Sequence, residues 1–394
     1  MDVAAFQNSP SGRLVKVGQG EAAYLAFAPE PLPPVIAPDL GLMRLLPEAG
    51  YALGELAAMG RALPNPHLLM GPFLRREAVL SSRIEGTQAT VADLYAYEAG
   101  QPSLPDVGSS APASDILEVL NYVHALQYGL DRLNTLPVSR RLIREIHERL
   151  MQGVRGEHLT PGEFRRSQNW IGAPGCTLNE ADYVPPPVPE MEGALDALES
   201  YIHSDDPKNH TLVRLALIHY QFEAIHPFLD GNGRVGRLLL SLLLVSWDLL
   251  PLPLLYLSDY FERNRQQYYN LLLATSQRGD WIEWISFFLI GVVEQSADAS
   301  ARAKRLQDLQ AQWRARLSEG RATAVLLSLA DSLFISPVLT ITQAQRLLKV
   351  TFRSAKRNID KLVEEGILRQ AGTSSYGKSF VAQDILRIAA EREG

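Results

Sequence analysis

Twelve consecutive residues, His226-Pro227-Phe228-Leu229-Asp230-Gly231-Asn232-Gly233-Arg234-Val235-Gly236-Arg237, constrain this chain more than any other segment. An apolar helical run (NHTLVRLALIHYQFEAI) precedes them and another begins at Arg234, so the local fold is a helix–loop–helix. Pro227 pushes His226 out of helical geometry, which puts the histidine where the first helix ends. Gly231 and Gly233 permit positive φ and leave no side chain between backbone N–H groups and a ligand. The second helix starts just beyond them, and its N-terminal N–H groups and dipole favour an anion. Arg234 and Arg237 are three apart and share a helix face, while Gly236 keeps part of that surface low. Two guanidiniums above an amide nest suit phosphate. Asp230 fits a Mg²⁺ ligand, because Mg²⁺ commonly takes one or two carboxylates plus phosphate oxygens. His226 has the one side chain here whose unperturbed pKa lies near neutrality, which makes it the candidate general base. Together these residues point to phosphoryl or nucleotidyl transfer from a Mg²⁺-bound nucleotide. The loop is not a Walker A motif, since no Gly-Lys-Ser/Thr follows the glycines. A plain turn between helices would account for the glycines but not for His, Asp, Asn and two Arg packed beside them.

The rest of the chain sets this loop in a mainly α context. At 394 residues it is long enough for two or three domains of about 150 residues each. Its net charge of −6 argues against a generic polyanion binder, and its one cysteine, Cys176, cannot close an intrachain disulfide, which suits a reducing compartment. The first residues have no apolar core of signal-peptide length. The most apolar stretch, Leu238 to Trp247, falls well short of the roughly 20 residues of a membrane span. A soluble cytoplasmic protein, with no membrane partner, is the expectation.

Residues 1 to about 38 are rich in Pro and Gly and read as an extended lead-in, either a strand or an arm. Helical periodicity begins at Leu40, recurs in GPFLRREAVLSSRIEG, and ends there at Gly86. Residues 100–114 read as a loop before a helix from Asp115, with a further helix in SRRLIREIHERLMQGV. Thr160 to Pro189 reads as an irregular loop carrying a small hairpin, and helices resume from Met191. From residue 321 the grammar changes: three short helices and a strand–turn–strand candidate resemble a winged helix-turn-helix. That tail carries 11 Lys and Arg against 7 Asp and Glu, and its third helix holds Arg353, Lys356 and Arg357 as candidate DNA contacts. A protein-interaction module with a solvated basic face fits the same pattern. The expected division is an N-terminal helical region over 1–110, a core over 111–300, a helical linker over 301–320 and the tail domain over 321–394.

The motif His226 to Arg237 resembles that of the Fic family, HPFx(D/E)GNGRxxR, at every fixed position. The resemblance implies a helical core with a small β-hairpin flap, and AMPylation as the activity: ATP plus a protein hydroxyl gives an AMP-modified side chain and diphosphate. It makes His226 the base toward a Ser, Thr or Tyr hydroxyl and Asp230 the Mg²⁺ ligand. Gly231, Asn232 and Gly233 would line the anion hole, with Val235 and Gly236 beside them and Arg234 and Arg237 on the outer phosphates. Related death-on-curing kinases usually carry Lys where this chain has Gly233.

Ser81-Ser82-Arg83-Ile84-Glu85-Gly86 is similar to the family's inhibitory pattern (S/T)xxxE(G/N), here on the N-terminal side of the core. Ser81 and Glu85 are four apart and share a helix face, and a carboxylate in the last helical turn benefits from an external cation. In the family that cation is the second motif arginine, here Arg237, so the resemblance implies that Glu85 occupies donors the γ-phosphate needs. Asn169–Gly172 with Asp182–Val184 resembles the flap, with Ile171, Gly172, Tyr183 and Val184 as its residues, though an ordinary surface hairpin would look the same. Tyr268, Tyr269 and Ser276 are candidates for the adenine and ribose pocket, against the reading that such aromatics are core. His219 reads as a packed core histidine.

Three functions stay open at this level. One is a protein adenylyltransferase restrained by Glu85, acting on an unknown target protein and on itself. A second is a hydrolase that removes AMP through the same pocket. The third is a nucleotide-responsive DNA-binding regulator. Nucleotide preference and a homodimeric state are open as well.

Overall fold

The computed structural model describes residues 1–20, 23–62, 66–100, 111–320, 322–371 and 378–390. Residues 101–110 of the loop expected over 100–114, and the turn expected within 372–377, lie outside the described residues. Contacts group the chain into two units that interleave along the sequence: 1–54, 124–249 and 257–295 form one, and 55–123, 250–256 and 296–394 the other.

In chain order the elements are α1 (Val3–Phe6), β1 (Gly12–Val17), β2 (Tyr24–Pro29), α2 (Leu40–Ala62), α3 (Pro66–Ile84), α4 (Val91–Glu98), α5 (Ala113–Arg132) and α6 (Arg140–Leu150). They continue as α7 (Val188–His203), α8 (Thr211–Ile225), α9 (Asn232–Ser246), α10 (Ser258–Arg263), α11 (Arg265–Arg278) and α12 (Trp281–Glu319). The chain then runs through α13 (Ala324–Ser332), β3 (Val338–Thr340), α14 (Ile341–Leu348), α15 (Phe352–Glu364), β4 (Arg369–Ala371), β5 (Ser379–Val381) and α16 (Gln383–Ala390). The fold is mainly helical, as the periodicity predicts. No helix among the described residues is long and apolar enough to cross a membrane.

The first unit is built around α8 and α9. Leu212, Leu215, Ala216, Leu217, Ile218, Tyr220 and Phe222 are all buried, together with His219 and Gln221, so α8 is buried on most of its circumference, as a central helix must be. Leu238, Leu239, Leu242 and Leu243 do the same for α9, each worth about 1.5–3 kcal/mol of burial. The Trp284 indole N–H donates to the Ala216 carbonyl at 2.9 Å, so this fully buried ring loses no hydrogen bond.

The lead-in is more ordered than its composition suggests. β1 and β2 form an antiparallel hairpin with Gly12 opposite Pro29 and Val17 opposite Tyr24. A Cβ on Gly12 would sit 2.4 Å from the Ala28 carbonyl oxygen and from the Phe27 ring, so the hairpin closes only around glycine. Phe27 packs on Phe6 and Tyr183 with ring centroids 5.2 and 6.0 Å apart, and its N–H donates to the Val184 carbonyl at 2.8 Å. The hairpin thereby buttresses the segment that carries the flap residues.

In the second unit, α3 begins at Pro66, upstream of the run read from sequence, and accommodates Pro72. Capping is strong: Thr90 closes a capping box with Asp93 on α4, and Thr340 does so with Gln343 on α14. The tail contains the expected three helices and two strands, with two additions. A third strand, β3, sits beside β5, giving the sheet order β3-β5-β4. A further helix, α16, packs against α3 and α4. Ala355, Ile359 and Leu362 form the buried face of α15, while Arg353, Lys356 and Arg357 are exposed. The residues read as a linker, 301–320, are largely the second half of α12.

Candidate active site

His226 ends α8 in the left-handed conformation, with φ 48° and ψ 61°. Its N–H still donates to the Phe222 carbonyl at 3.0 Å, and Pro227 then has no N–H with which to continue the helix. A non-glycine residue held there costs about 1–2 kcal/mol. The loop offsets that cost by pairing its carbonyls. The His226 oxygen accepts from Arg165 Nε at 3.0 Å and Asn169 Nδ2 at 3.1 Å. The Pro227 oxygen accepts from the Arg165 backbone N–H at 2.9 Å. The Phe228 oxygen accepts from Asn169 and Asn232, each at 2.8 Å, and the Phe228 N–H returns to Asn232 Oδ1 at 2.8 Å.

The imidazole is oriented by this frame. His226 Nδ1 lies 3.2 Å from the Glu223 carbonyl oxygen. A carbonyl only accepts, so Nδ1 carries the proton in that bond and Nε2 carries the lone pair of the neutral ring. That is the tautomer a general base needs on the side away from its own helix.

Gly231, at φ +79°, caps α9, and the first intrahelical bond runs from the Val235 N–H to the Gly231 carbonyl. The N–H groups of Asn232 and Gly233 therefore precede the helical ladder, where an anion is favoured. The side chain of Asn232 is committed to the Phe228 backbone, so its backbone is what it presents to a ligand. Arg234 and Arg237 are 1% and 2% exposed, cations largely withdrawn from water beside this helix end. Asp230 is half-buried; its Oδ1 accepts the Gly231 N–H at 2.6 Å and lies 3.7 Å from Arg234 Nη2. Gly236 lets α8 and α9 approach, since a Cβ there would meet Glu223 Oε1 at 2.5 Å and the Phe222 ring at 3.2 Å.

Two residues without a sequence signature complete the frame. His147, on the buried face of α6, accepts from the Gly162 N–H at Nδ1 (2.9 Å), so its Nε2–H donates to the Asp230 carbonyl (3.0 Å). Burial first, and the Arg234 charge second, push its pKa down to about 4, so it is neutral at physiological pH. Arg165 is the other. Burial lowers its pKa to about 10, and it follows Gly162 in an irregular segment where no periodicity marks it.

The hairpin expected near the base is present as a single antiparallel bridge between Ile171 and Tyr183, with Ile171 N–H to Tyr183 O at 2.8 Å. Gly172 is required for its closeness: a Cβ would meet Cys176 Sγ at 2.7 Å and backbone of residues 181–182 at 3.3 Å. Tyr183 is buried and its hydroxyl donates to the Ala224 carbonyl at 2.8 Å, two residues before His226, while Ile171 is exposed. Val184 holds β2 as described above.

The adenine-pocket candidates separate. Tyr268 is buried, stacked on Phe261 at 4.6 Å and paired with His219 Nε2 at 2.9 Å. Ser276 is buried too, with its hydroxyl at 3.0 Å from that of Tyr220. Tyr269 is exposed. His219 is a core histidine, as expected: burial first, with the Arg237 charge adding to it, pushes its pKa down to about 3. Ser81 is buried in the second unit, α3 ends at Ile84, and Glu85 lies half-buried in the turn that follows, before Gly86 at φ +104°.

Residues 43–131 match the family model described as Fic/DOC family N-terminal, and residues 137–244 match that of the Fic/DOC family. Among curated relatives, the protein adenylyltransferase Fic of Drosophila grimshawi is 29% identical over 172 residues, 43% of this chain and 32% of that protein. That of Nematostella vectensis is 29% identical over 225 residues, 56% of this chain and 47% of that one. The matched part thus spans about a third to a half of those relatives. A solved Fic family protein from Desulfovibrio desulfuricans G20 superposes with a TM-score of 0.56 at 20% identity, over 89% of this chain and 98% of that one. A Fic domain containing signaling protein from Bacteroides thetaiotaomicron VPI-5482 gives 0.51 at 17% identity, over 65% and 98%. At such identities the likeness is one of fold.

Proposed function

We propose, from the premise that this chain belongs to the Fic/DOC family, that it is a protein adenylyltransferase moving AMP from ATP to a protein hydroxyl. The observation that carries this reading is the orientation of His226, whose Nδ1–H is tied to the Glu223 carbonyl and whose Nε2 lone pair is thereby set for a proton. Nε2 takes the proton of a Ser, Thr or Tyr hydroxyl as its oxygen bonds to the α-phosphorus. The bond from the α-phosphorus to the β-phosphate bridging oxygen breaks, and diphosphate leaves. Its charge is met by the backbone N–H groups that open α9 and by Arg234 and Arg237. Asp230 is the residue that would hold Mg²⁺, one carboxylate being enough when phosphates and water fill the shell, and the ion would offset charge on the phosphates. The edge of the hairpin at Ile171 suits strand addition by an extended target segment.

Glu85 is assigned to restrain the reaction by engaging Arg237. What supports this is the Ser81–Gly86 pattern and the position of Glu85 just beyond the end of α3, with Gly86 in the left-handed turn that such an ending uses. DNA is a proposed partner of the tail, supported by the exposed Arg353, Lys356 and Arg357 opposite the buried face of α15. Cytoplasmic location belongs to the same reading, since Cys176 is a free thiol.

The test is incubation with α-labelled ATP and Mg²⁺, reading label on the protein itself and on lysate proteins. The reading expects label that rises in Glu85→Gly and vanishes in Glu85→Gly/His226→Ala. Label that persists without His226 overturns it.

A further inference from the structure

Resting on the adenylyltransferase reading, we propose that Arg165 is a positioning residue, which locks the loop bearing the base to the hairpin that receives the target. One guanidinium reaches both. Nε donates to the His226 carbonyl at 3.0 Å, Nη2 donates to the Pro186 carbonyl just beyond the returning arm of the hairpin, and Nη1 donates to the Ser167 carbonyl at 3.2 Å. The Arg165 backbone N–H adds a bond to the Pro227 carbonyl at 2.9 Å. A single residue therefore grips two consecutive carbonyls of the loop that bears His226 and one on each side of the hairpin, at Ser167 and Pro186.

The chemistry of the clamp argues against a merely packed side chain. Arg165 is 1% exposed, and its side-chain acceptors among the described residues are all main-chain carbonyls, with no carboxylate to balance the charge. Burying a cation that way is costly, and an apolar side chain of similar size would fill the volume at lower cost. What an apolar residue would lose is the tie between the two segments. The tie matters because His226 sits in a conformation that its own backbone disfavours. Its carbonyl is directed by the left-handed turn, and the imidazole orientation follows from the same residue. Asn169, the first residue of the hairpin's outgoing arm, shares the load with bonds to the His226 and Phe228 carbonyls, and Gln168 holds the Pro185 carbonyl; Arg165 adds the tie from the loop to Pro186, past the returning arm. Loss of Arg165 should leave the loop present but let base and acceptor drift relative to each other.

The experiment compares Arg165→Lys and Arg165→Gln with the parent, all carrying Glu85→Gly, in the full chain. Lysine keeps the charge and glutamine keeps one planar donor, so one of them folds if charge or a single bond is what folding requires. Expected is a fall in kcat of about 10²-fold for a displacement on the order of 1 Å. KM for the protein acceptor rises, while the dissociation constant of a non-hydrolysable ATP analogue changes by less than about twofold. A second readout needs no turnover: the ¹⁵N shifts of the His226 ring move away from the Nδ1–H tautomer, while those of His147 stay. Unchanged His226 shifts, or losses in kcat and nucleotide affinity that track thermal stability alone, overturn the clamp. Because the ring shifts are read without AMP transfer, failure of the clamp and failure of the transferase reading are told apart.

Discussion

His147 lies flat against Phe228, with ring centroids 3.7 Å apart and planes 6° from parallel, and its Nε2–H donates to the Asp230 carbonyl. One neutral imidazole thus props the first half of the loop by stacking and the second half by a hydrogen bond. The loop has an inner histidine, His147, that holds it and a second one, His226, to which the proposed reaction gives the substrate proton.

Acid should loosen this loop. His147 has its pKa pushed down to about 4 in the fold from an ordinary 6.5, so the folded state binds fewer protons than the unfolded one between those values. Its contribution is complete above about pH 6.5 and is lost as pH falls toward 4, by at most about 3 kcal/mol. Thermal melts from pH 7 to 4 should show this slope. His147→Phe keeps the stack and should flatten it, at the cost of unpairing the Gly162 N–H and the Asp230 carbonyl. An identical pH profile in that variant would assign the slope elsewhere.

Removing the base should be decisive for turnover and mild for folding. His226→Ala, in the Glu85→Gly background, is expected to lower transfer by about 10²–10⁴-fold. Its melting temperature should stay near or above the parent's, because alanine tolerates the left-handed turn no better but carries no ring to orient. Quantitative label incorporation and a melt on the same sample check both halves.

Releasing the restraint should act in the opposite direction. Glu85→Gly is expected to raise transfer by at least about tenfold, the factor carried by an interaction of about 1.4 kcal/mol. Glu85→Gln, which keeps the shape but not the charge, should fall between. Equal activity in all three would remove Glu85 from regulation.

Gly156 offers a route to Asp230 that leaves His226 alone. It sits at φ +88°, and a Cβ there would lie 2.7 Å from Asp230 Oδ2 and 2.9 Å from Met151 Cε. Gly156→Ala should destabilise by about 1–2 kcal/mol through the strained φ and turn the carboxylate aside. The Mg²⁺ concentration giving half-maximal transfer should rise several-fold, and titration of the ion at saturating ATP measures it. An unchanged requirement would take Asp230 out of metal binding.

The loop from His226 to Arg237 was legible because its physics is local. Proline ends a helix, glycine permits the turn, and the next helix must begin with unpaired amides. His219 was legible as core for the same kind of reason, an apolar face with no spaced ligands. Arg165 and His147 were not, because the loop atoms they hold are backbone atoms 61 and 83 positions away, as in Arg165 to His226 and His147 to Asp230. Extended structure in the lead-in was legible, but the pairing of β1 with β2 was obscured by proline-rich flanks, and its anchor, the Phe27 bond to Val184, is equally remote. Tyr268 and Ser276 illustrate the converse, since residue type suggested a pocket while burial and hydrogen bonding gave them internal partners.

The seam between α16 and α3 has a practical side. Arg302 is held by Asp298 and donates to the Ile388 carbonyl, and Asp298 also meets Arg76 at 3.4 Å, on the helix that leads to Ser81. Trimming the polypeptide inside α16 would take the Ile388 carbonyl from a guanidinium that is 2% exposed, which keeps Asp298, and bare one flank of α3. A shortened version would then carry a disturbed α3, the helix that leads to the proposed restraint at Glu85, and a gain in its labelling would not distinguish damage from activation.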